Sequence, residues 1–357
     1  MKRLAVIFAV LLLVALPVRA SAKGAEEYIS DFSSLIPEDM SDKLNDADAL
    51  TGAVGFESVI SEIFDVLSNN GGALAAFLSM LIGLSLLIAL SGTLEGALAG
   101  SVRSAVSAIS AVAIFGGIST LVKTASAALS EMTSFFEKLI PIFVGVTFAG
   151  GGVSSAGVGA TGMSLTLGVI GGFSGEVLGS VVSLMFALGL ISDLGGGSIT
   201  GLLKSARGFF TWGIGILTFL LGATLALQTV IASASDSMLM RSAKFTASGM
   251  IPIVGGSVSG AISTLASGLS YAKSFIGIGA VSVIAAIALA PIILMLAYRA
   301  VLSLSVDFLG FLDTGGGVRC FSSMLGALDC LIAVFSMSTL IYIFEIILFI
   351  KSGVALI

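Results

Sequence analysis

The stretch ALAAFLSMLIGLSLLIALS, residues 73–91, has nineteen uncharged and mostly apolar residues in succession. About 20 such residues, coiled into an α-helix, cross the hydrocarbon core of a bilayer. The whole chain has the same character, since 57% of its 357 residues are hydrophobic and only 10% are charged. A soluble domain carries about 25% charged residues. The sequence therefore predicts an all-α fold, a polytopic integral membrane helical bundle.

Further apolar segments predict a membrane domain that occupies residues 71–357, with about 6–7 spans. The predicted spans are residues 73–91, 104–122, 140–170, 177–194, 212–232, 276–296 and 331–350. Residues 123–139 alternate charged with apolar side chains at helical spacing. This pattern predicts an amphipathic helix that lies at the membrane interface.

The predicted span 140–170 is interrupted by a glycine-rich segment, GGGVSSAGVGATG, residues 150–162. Non-helical backbone at membrane depth is tolerated only where protein or water covers it. Two arrangements satisfy this condition. Either one half spans the membrane while the other is re-entrant, or both are half-helices that face a shared cavity.

The N-terminal segment MKRLAVIFAVLLLVALPVRASAKG predicts a secretory signal peptide. Lys2 and Arg3 precede an apolar core, and the small residues ASA follow, which is the order typical of such peptides. The core is short for a membrane span. We therefore expect residues 1–22 to be removed by cleavage after Ala22, with an uncleaved anchor as the alternative.

Residues 23–70 form a predicted acidic arm. Between Lys23 and Asp65 the chain has eleven acidic residues and two lysines. Because basic segments are held on the cytoplasmic side of a membrane, this segment is expected on the extracytoplasmic side, in agreement with a signal peptide. It has few large apolar residues, which predicts a short helical or partly disordered arm rather than a folded domain.

Charged residues inside the apolar segments form a candidate polar path for a solute, a proton or an ion. Its members are Glu345, Arg299, Asp307 and Glu176. Glu345 lies within LIYIFEIILFI, and a charge at a helix centre costs about 2.5–3.5 kcal/mol on insertion scales. We expect it to face the bundle interior or water, either protonated or paired. The alternative for the others is snorkelling at the interface with one structural ion pair.

Small residues at every fourth position predict two helix-packing ridges. They are Gly171, Gly175, Gly179 and Ser183 in the first, and Gly256, Gly260, Thr264 and Gly268 in the second. Such a ridge lets a second helix approach with close backbone contact. Simple packing and a sliding or gating contact are both compatible with it.

Several classes of function are disfavoured by what the sequence lacks. The chain has no histidine, which removes Ser–His and Cys–His catalysis and nearly all imidazole metal sites. It also has no P-loop, CxxC or HExxH motif. Its net charge of −5 and the absence of a basic stripe disfavour nucleic-acid binding. We expect no enzymatic activity, no cofactor, no metal and no nucleic-acid partner.

Cys320 and Cys330 are the only cysteines. Ten positions along a helix correspond to about 280° of rotation, so the two side chains do not share a face. We expect two free thiols packed against lipid or the core, since a disulfide would require a bend between them.

The segment RSAKFTASGMIPIVGGSVSGA, residues 241–261, is polar although apolar spans flank it. Ile251 is disfavoured in a helical conformation because Pro252 follows it. The segment predicts a polar arm, then an elbow, then a hydroxyl-rich helix from Ser257. Such a helix suits an interface, a protein-lined cavity or a docking surface. The candidate elbow and docking residues are Lys244, Pro252, Gly255 and Gly256.

The longer run SAKFTASGMIPIVGGSVSGAISTLASGLSYAKSFIGIGA, residues 242–280, resembles the stage III sporulation protein AE family. The matching features are a lysine followed by SGMIPIVGG, the serine-rich helix after it, and the span that contains Pro291. The signal peptide, the acidic arm and the order of the spans also fit. The resemblance covers roughly residues 50–350.

The resemblance implies a permease-like membrane subunit of the channel complex that joins mother cell and forespore and is required for endospore development after engulfment. It implies a location in the mother-cell membrane facing the forespore. The implied partners are the lipid bilayer and other membrane and intermembrane-space proteins of the complex, including an ATPase. The alternative is a free-standing secondary transporter of small solutes or ions, for which broken helices are an expected sign.

Overall fold

The computed structural model describes residues 24–37, 56–95, 98–172, 255–312 and 315–351, with scattered positions between 179 and 241. Several predicted features lie outside these residues. They are the signal peptide 1–22, most of the spans 177–194 and 212–232, and the residues Gly175, Glu176, Lys244 and Pro252.

Every described element is an α-helix. They are α1 (Ala25–Ser33), α2 (Phe56–Gly92), α3 (Ala99–Ala149), α4 (Val153–Gly172), α5 (Gly255–Phe311) and α6 (Gly315–Lys351). No strand occurs in the described part of the chain. The five helices α2 to α6 are long and apolar enough to cross a membrane. These helices confirm the prediction of an all-α protein with several candidate membrane-spanning helices.

The helix α3 is longer than any predicted span. It has 51 residues and continues through Pro141, so it joins span 104–122, the predicted interfacial helix 123–139 and the first part of span 140–170. The apolar stripe of residues 123–139 is buried in the bundle, as Leu129 and Met132 illustrate. The stripe therefore packs against neighbouring helices instead of the membrane interface. At 1.5 Å per residue, α3 extends over about 76 Å, well beyond a bilayer core of about 30 Å.

The helix α5 is central, because it contacts α1, α2, α3 and α6. It runs antiparallel to α6: Arg299 pairs with Asp329 near their connection, and Lys273 contacts Phe349 near the other ends. The helix α4 lies against α3 and α6. Residues buried between these helices form one continuous apolar core.

The helix α1 is part of the predicted acidic arm, and it packs onto the bundle. Phe32 is 1% exposed and lies against Gly279 of α5, while Tyr28 lies against Gly145 of α3. The last part of the predicted arm belongs to α2, which begins at Phe56. The first long helix thus starts before the predicted membrane domain.

Candidate buried polar site

The chain changes direction between α3 and α4 at three consecutive glycines. Gly151 has a φ of 86°, a left-handed conformation that a residue without Cβ adopts at little cost. The N–H of Gly152 donates to the carbonyl of Thr147 at 2.9 Å, which ties the turn to the end of α3. The break is shorter than the predicted glycine-rich segment 150–162, because the residues from Val153 onward are helical.

The first turn of α4 is bound by a distant carboxylate. The N–H of Ser154 donates to Asp236 Oδ1 at 2.8 Å, and the N–H of Ser155 donates to Asp236 Oδ2 at 2.7 Å. Asp236 is 4% exposed. A carboxylate is favoured here because free N–H groups and the helix dipole make a helix N-terminus electropositive.

A buried lysine lies close to this carboxylate. Lys273 of α5 is 5% exposed and is within electrostatic range of Asp236. Its Nζ lies 4.2 Å from the ring centroid of Phe349, a favourable cation–π distance. Phe349 stacks on Phe143 of α3, with ring centroids 3.9 Å apart. The site thus joins α3, α4, α5, α6 and the segment that carries Asp236.

Glu345 lies one helical turn before Phe349 on α6 and is 5% exposed. Its carboxylate lies beside Thr166 of α4, which is fully buried. Neither Glu345 Oε2 nor Thr166 Oγ1 reaches hydrogen-bond geometry with any described residue. The structure therefore places Glu345 in the bundle interior, where a polar side chain of another helix faces it.

Two more buried hydroxyls lack a hydrogen-bond partner among the described residues, those of Thr147 and Ser155. Ser155 and Thr166 are eleven positions apart on α4. Eleven residues make about three full turns, so the two side chains point in directions that differ by only about 20° around the helix axis. These two hydroxyls of α4 therefore lie on one face of the helix, about 16 Å apart along its axis. Buried polar groups usually have partners, so buried hydroxyls without one among the described residues are unusual.

The structure does not bring Arg299 or Asp307 to this site. The Nε of Arg299 donates to Asp329 Oδ1 at 2.6 Å, and both side chains are partly exposed. Asp329 precedes Glu345 by sixteen positions on α6, a distance of about 24 Å along the helix. Asp307 is exposed on α5. Arg299 thus makes a structural ion pair, and its partner is Asp329.

Of the predicted elbow, Gly255 and Gly256 form the start of α5. Of the predicted ridges, Gly171, Gly179 and Gly268 have no described atom within 4 Å of an added Cβ, and Gly260 lies within α5. The close contacts at glycine occur elsewhere, for example between Gly117 and Phe77. Side chains occupy these glycine positions, and they include aliphatic ones such as Ile350 at Gly277.

As predicted, Cys320 and Cys330 form no disulfide, and both are buried. The sequence pattern does not single out Lys273, Thr166 or Asp236 as site residues. A lysine in the apolar run SYAKSFIGIGA, residues 270–280, was the available signal.

The chain matches the family model described as stage III sporulation protein AE over residues 37–353. It belongs to this family. The stage III sporulation protein AE of Bacillus subtilis (strain 168) is 21% identical over 334 residues, which cover 92% of this chain and 84% of that protein. No solved structure matches the chain. The resemblance of residues 242–280 is thus confirmed, and the protein is a multi-pass membrane protein of a sporulation family.

Proposed function

We propose that this member of the stage III sporulation protein AE family is the permease-like membrane subunit of the channel complex between mother cell and forespore. In this role it conducts or gates small solutes after engulfment and performs no chemistry of its own. Membership of the family and five apolar helices of spanning length support the role. The proposed location is the mother-cell membrane facing the forespore.

The observation that carries the proposal is the burial of charged residues between apolar helices. Asp236, Lys273 and Glu345 are each at most 5% exposed. Burial of a charge is costly even when the charge is paired, and a bundle selected only for packing would use apolar residues there. The buried hydroxyls of Ser155 and Thr166, which have no hydrogen-bond partner in the part of the chain that the structure describes, add polar groups along α4. These features suit a protein-lined polar route.

The proposed partners are the other proteins of the complex, an ATPase among them. The helix α1 offers them a surface on the side where we expect the signal peptide to place the arm. Its aromatic side faces the bundle, whereas Glu26 and Glu27 are exposed. The outward face of α1 is therefore acidic.

A free-standing secondary transporter remains the second candidate, and one observation favours it. The break at Gly150–Gly152 directs the N-terminus of α4 at a buried carboxylate, as discontinuous helices of such transporters do with anionic substrate groups. A deletion that arrests only forespore development after engulfment supports the complex. Solute uptake by the protein alone in vesicles supports the transporter.

The test replaces Glu345 with glutamine in an endospore-forming host whose own gene is deleted. Glutamine preserves the shape but removes the carboxylate, so we expect heat-resistant spores to fall about tenfold, the effect of roughly 1.4 kcal/mol on one step. Immunoblotting verifies that the protein level is unchanged.

The matched control is Glu131→Gln, since Glu131 is exposed on α3. We expect its spore count to equal that of the unmodified protein. Equal spore counts for Glu345→Gln and Glu131→Gln would show that Glu345 has no part in transport.

A further inference from the structure

The first turn of α4 binds an anion that its own sequence does not supply. Ser, Thr, Asp and Asn cap a helix with a side-chain oxygen, but the residue before α4 is Gly152, which has no side chain to offer. Asp236 satisfies the N–H groups instead, from 82 positions away in the case of Ser154. An added Cβ at Gly152 would lie 2.9 Å from Thr147 Cγ2 and 3.4 Å from Asp236 Oδ2. A local side chain would therefore crowd the space that the carboxylate uses.

The surroundings contain more polar groups than a helix cap needs. Lys273 adds a buried positive charge near the carboxylate. The hydroxyls of Thr147 and Ser155 are buried, with residue exposures of 4% and 2%, and have no hydrogen-bond partner among the described residues. Two backbone N–H groups thus bind the carboxylate, and a buried ammonium group and two buried hydroxyls belong to the same region. Helix N-termini with additional donors are sites at which proteins bind carboxylate and phosphate groups.

We propose that this turn of α4 is a binding site for the carboxylate group of a small anionic solute, and that Asp236 occupies the site until such a solute displaces it. This inference rests on the proposed function, because it names the chemical class of the transported solute. The solute is a carboxylic acid in its ionised form.

Displacement of one carboxylate by another keeps the donors satisfied. The N–H groups of Ser154 and Ser155 and the ammonium of Lys273 would keep an anionic partner throughout the exchange. Asp236 belongs to the helical residues 234–238, which are distant in sequence from α4. Departure of its carboxylate from the first turn of α4 would therefore not require α4 to unwind. A neutral solute would leave buried donors unpaired, which is costly. The site therefore selects anions.

The test uses the purified full chain in detergent. Thermal unfolding is followed with a thiol-reactive fluorogenic dye, because Cys320 and Cys330 are buried and react only on unfolding. Asp236→Ala removes the resident carboxylate. Sodium acetate is titrated at constant ionic strength against sodium chloride, and sodium phosphate is titrated in parallel.

We expect Asp236→Ala to melt below the unmodified protein and to gain about 2 °C at acetate concentrations tenfold above the dissociation constant. The gain should saturate, and the unmodified protein should gain far less because Asp236 already fills the site. Asp236→Ala combined with Lys273→Met should lose the gain. The control Asp329→Ala removes a carboxylate from an ion pair outside the site and should show none.

Equal acetate effects on Asp236→Ala and Asp329→Ala would overturn the proposal, and a gain with phosphate alone would overturn the assignment of a carboxylate. If Asp236→Ala does not fold, Asp236→Asn keeps an oxygen acceptor and should still gain stability in acetate. Failure of both variants to fold even in acetate would make Asp236 an irreplaceable cap and also overturn the proposal.

This experiment is independent of sporulation. Acetate binding by a protein whose deletion leaves forespore development after engulfment unimpaired would leave the anion site standing and refute the proposed function. A sporulation defect without acetate binding would support the proposed function and overturn the anion site.

Discussion

Phe32 is the residue that anchors α1 to the bundle. It is fully buried, and the position opposite it on α5 is Gly279, where an added Cβ would lie 2.7 Å from the ring. The absence of a side chain at Gly279 therefore creates the space for the ring. Tyr28 and Gly145 form a second pair of the same kind against α3. Two aromatic rings and two glycines thus hold a helix of nine residues.

Gly279→Leu should release α1 from the bundle. The added side chain overlaps the ring of Phe32, and overpacking of this kind costs about 1–3 kcal/mol. We expect amide hydrogen exchange of residues 25–33 to become at least about fivefold faster, the effect of roughly 1 kcal/mol. Mass spectrometry of peptic peptides measures it.

The control is Gly83→Leu, because an added Cβ at Gly83 of α2 meets nothing within 4 Å. We expect exchange in α1 to be unchanged in this variant. Unchanged exchange in Gly279→Leu as well would mean that Phe32 does not hold α1 in place.

At the scale of elements, the hairpin of α2 and α3 is closed by one arginine. Arg103 Nε donates to the carbonyl of Ser91 at 3.1 Å, and its Nη2 donates to the carbonyls of Gly92 and Leu94 at 2.8 and 3.0 Å. The last carbonyls of a helix have no partner within it, and a cation at this end also complements the helix dipole. Arg103 therefore caps the C-terminus of α2 and fixes the position of the first turn of α3 relative to it.

Arg103→Met should weaken the hairpin of α2 and α3, because methionine keeps most of the aliphatic part of the arginine side chain but donates no hydrogen bonds. Hydrogen bonds to a charged group contribute about 1.5–3 kcal/mol. Because Arg103 is exposed, we expect the free energy of unfolding to fall by an amount near the lower end of this range. The melting temperature, read by the dye reaction of the buried cysteines, should fall by a few degrees.

Lys123→Met provides the comparison, since Lys123 is an exposed cation on the same helix. Its melting temperature should match that of the unmodified protein. Arg103→Lys should be intermediate because an ammonium lacks the planar fork that reaches several carbonyls. Identical melting of Arg103→Met and Lys123→Met would contradict the capping role.

At the scale of the whole molecule, the long helices separate the two ends of the bundle. The helix α1 lies beside Gly145 near the C-terminal end of α3, whereas Thr93 lies just before its N-terminal end. About 45–50 residues of helix correspond to about 70 Å, more than the thickness of a bilayer with its headgroups. We therefore expect residues near these two ends to lie on opposite sides of the membrane.

A cysteine in place of Ser33 should react with a membrane-impermeant maleimide in intact cells. Ser33 is exposed on α1, and if the predicted signal peptide directs export, the arm lies outside the cytoplasm. The two natural cysteines are buried, so the background is low. Thr93→Cys should react only after permeabilisation. The reverse pattern would place the arm in the cytoplasm.

The arrangement of α3 illustrates where inference from sequence ends. Residues 123–139 have a helical apolar period, and this period is the same whether the stripe faces headgroups or other helices. Burial of Leu129, Met132 and Phe136 assigns the stripe to the core. The charges on the opposite face, such as Lys123 and Glu131, are exposed.

The buried site was partly predictable. Glu345 was singled out because a carboxylate inside an apolar run is costly in lipid, and the structure places it in the bundle interior. The cap of α4 by Asp236 had no local signal, because its donors and its acceptor are 81 and 82 positions apart. By sequence, Arg299 could pair with an acidic residue of its own helix, Asp307, or with one of the next helix, Asp329. Only the packing of α5 against α6 brings Asp329 to it.

The sequence by itself determined that this protein is an all-α membrane protein of the stage III sporulation protein AE family. The length of apolar runs and the motif of residues 242–280 are properties of the chain alone. Tertiary structure alone decided which carboxylate caps α4, which cation influences Asp236, and which glycines lie against α1. Such contacts join residues far apart in sequence, and their energies depend on burial and distance, which no local pattern contains.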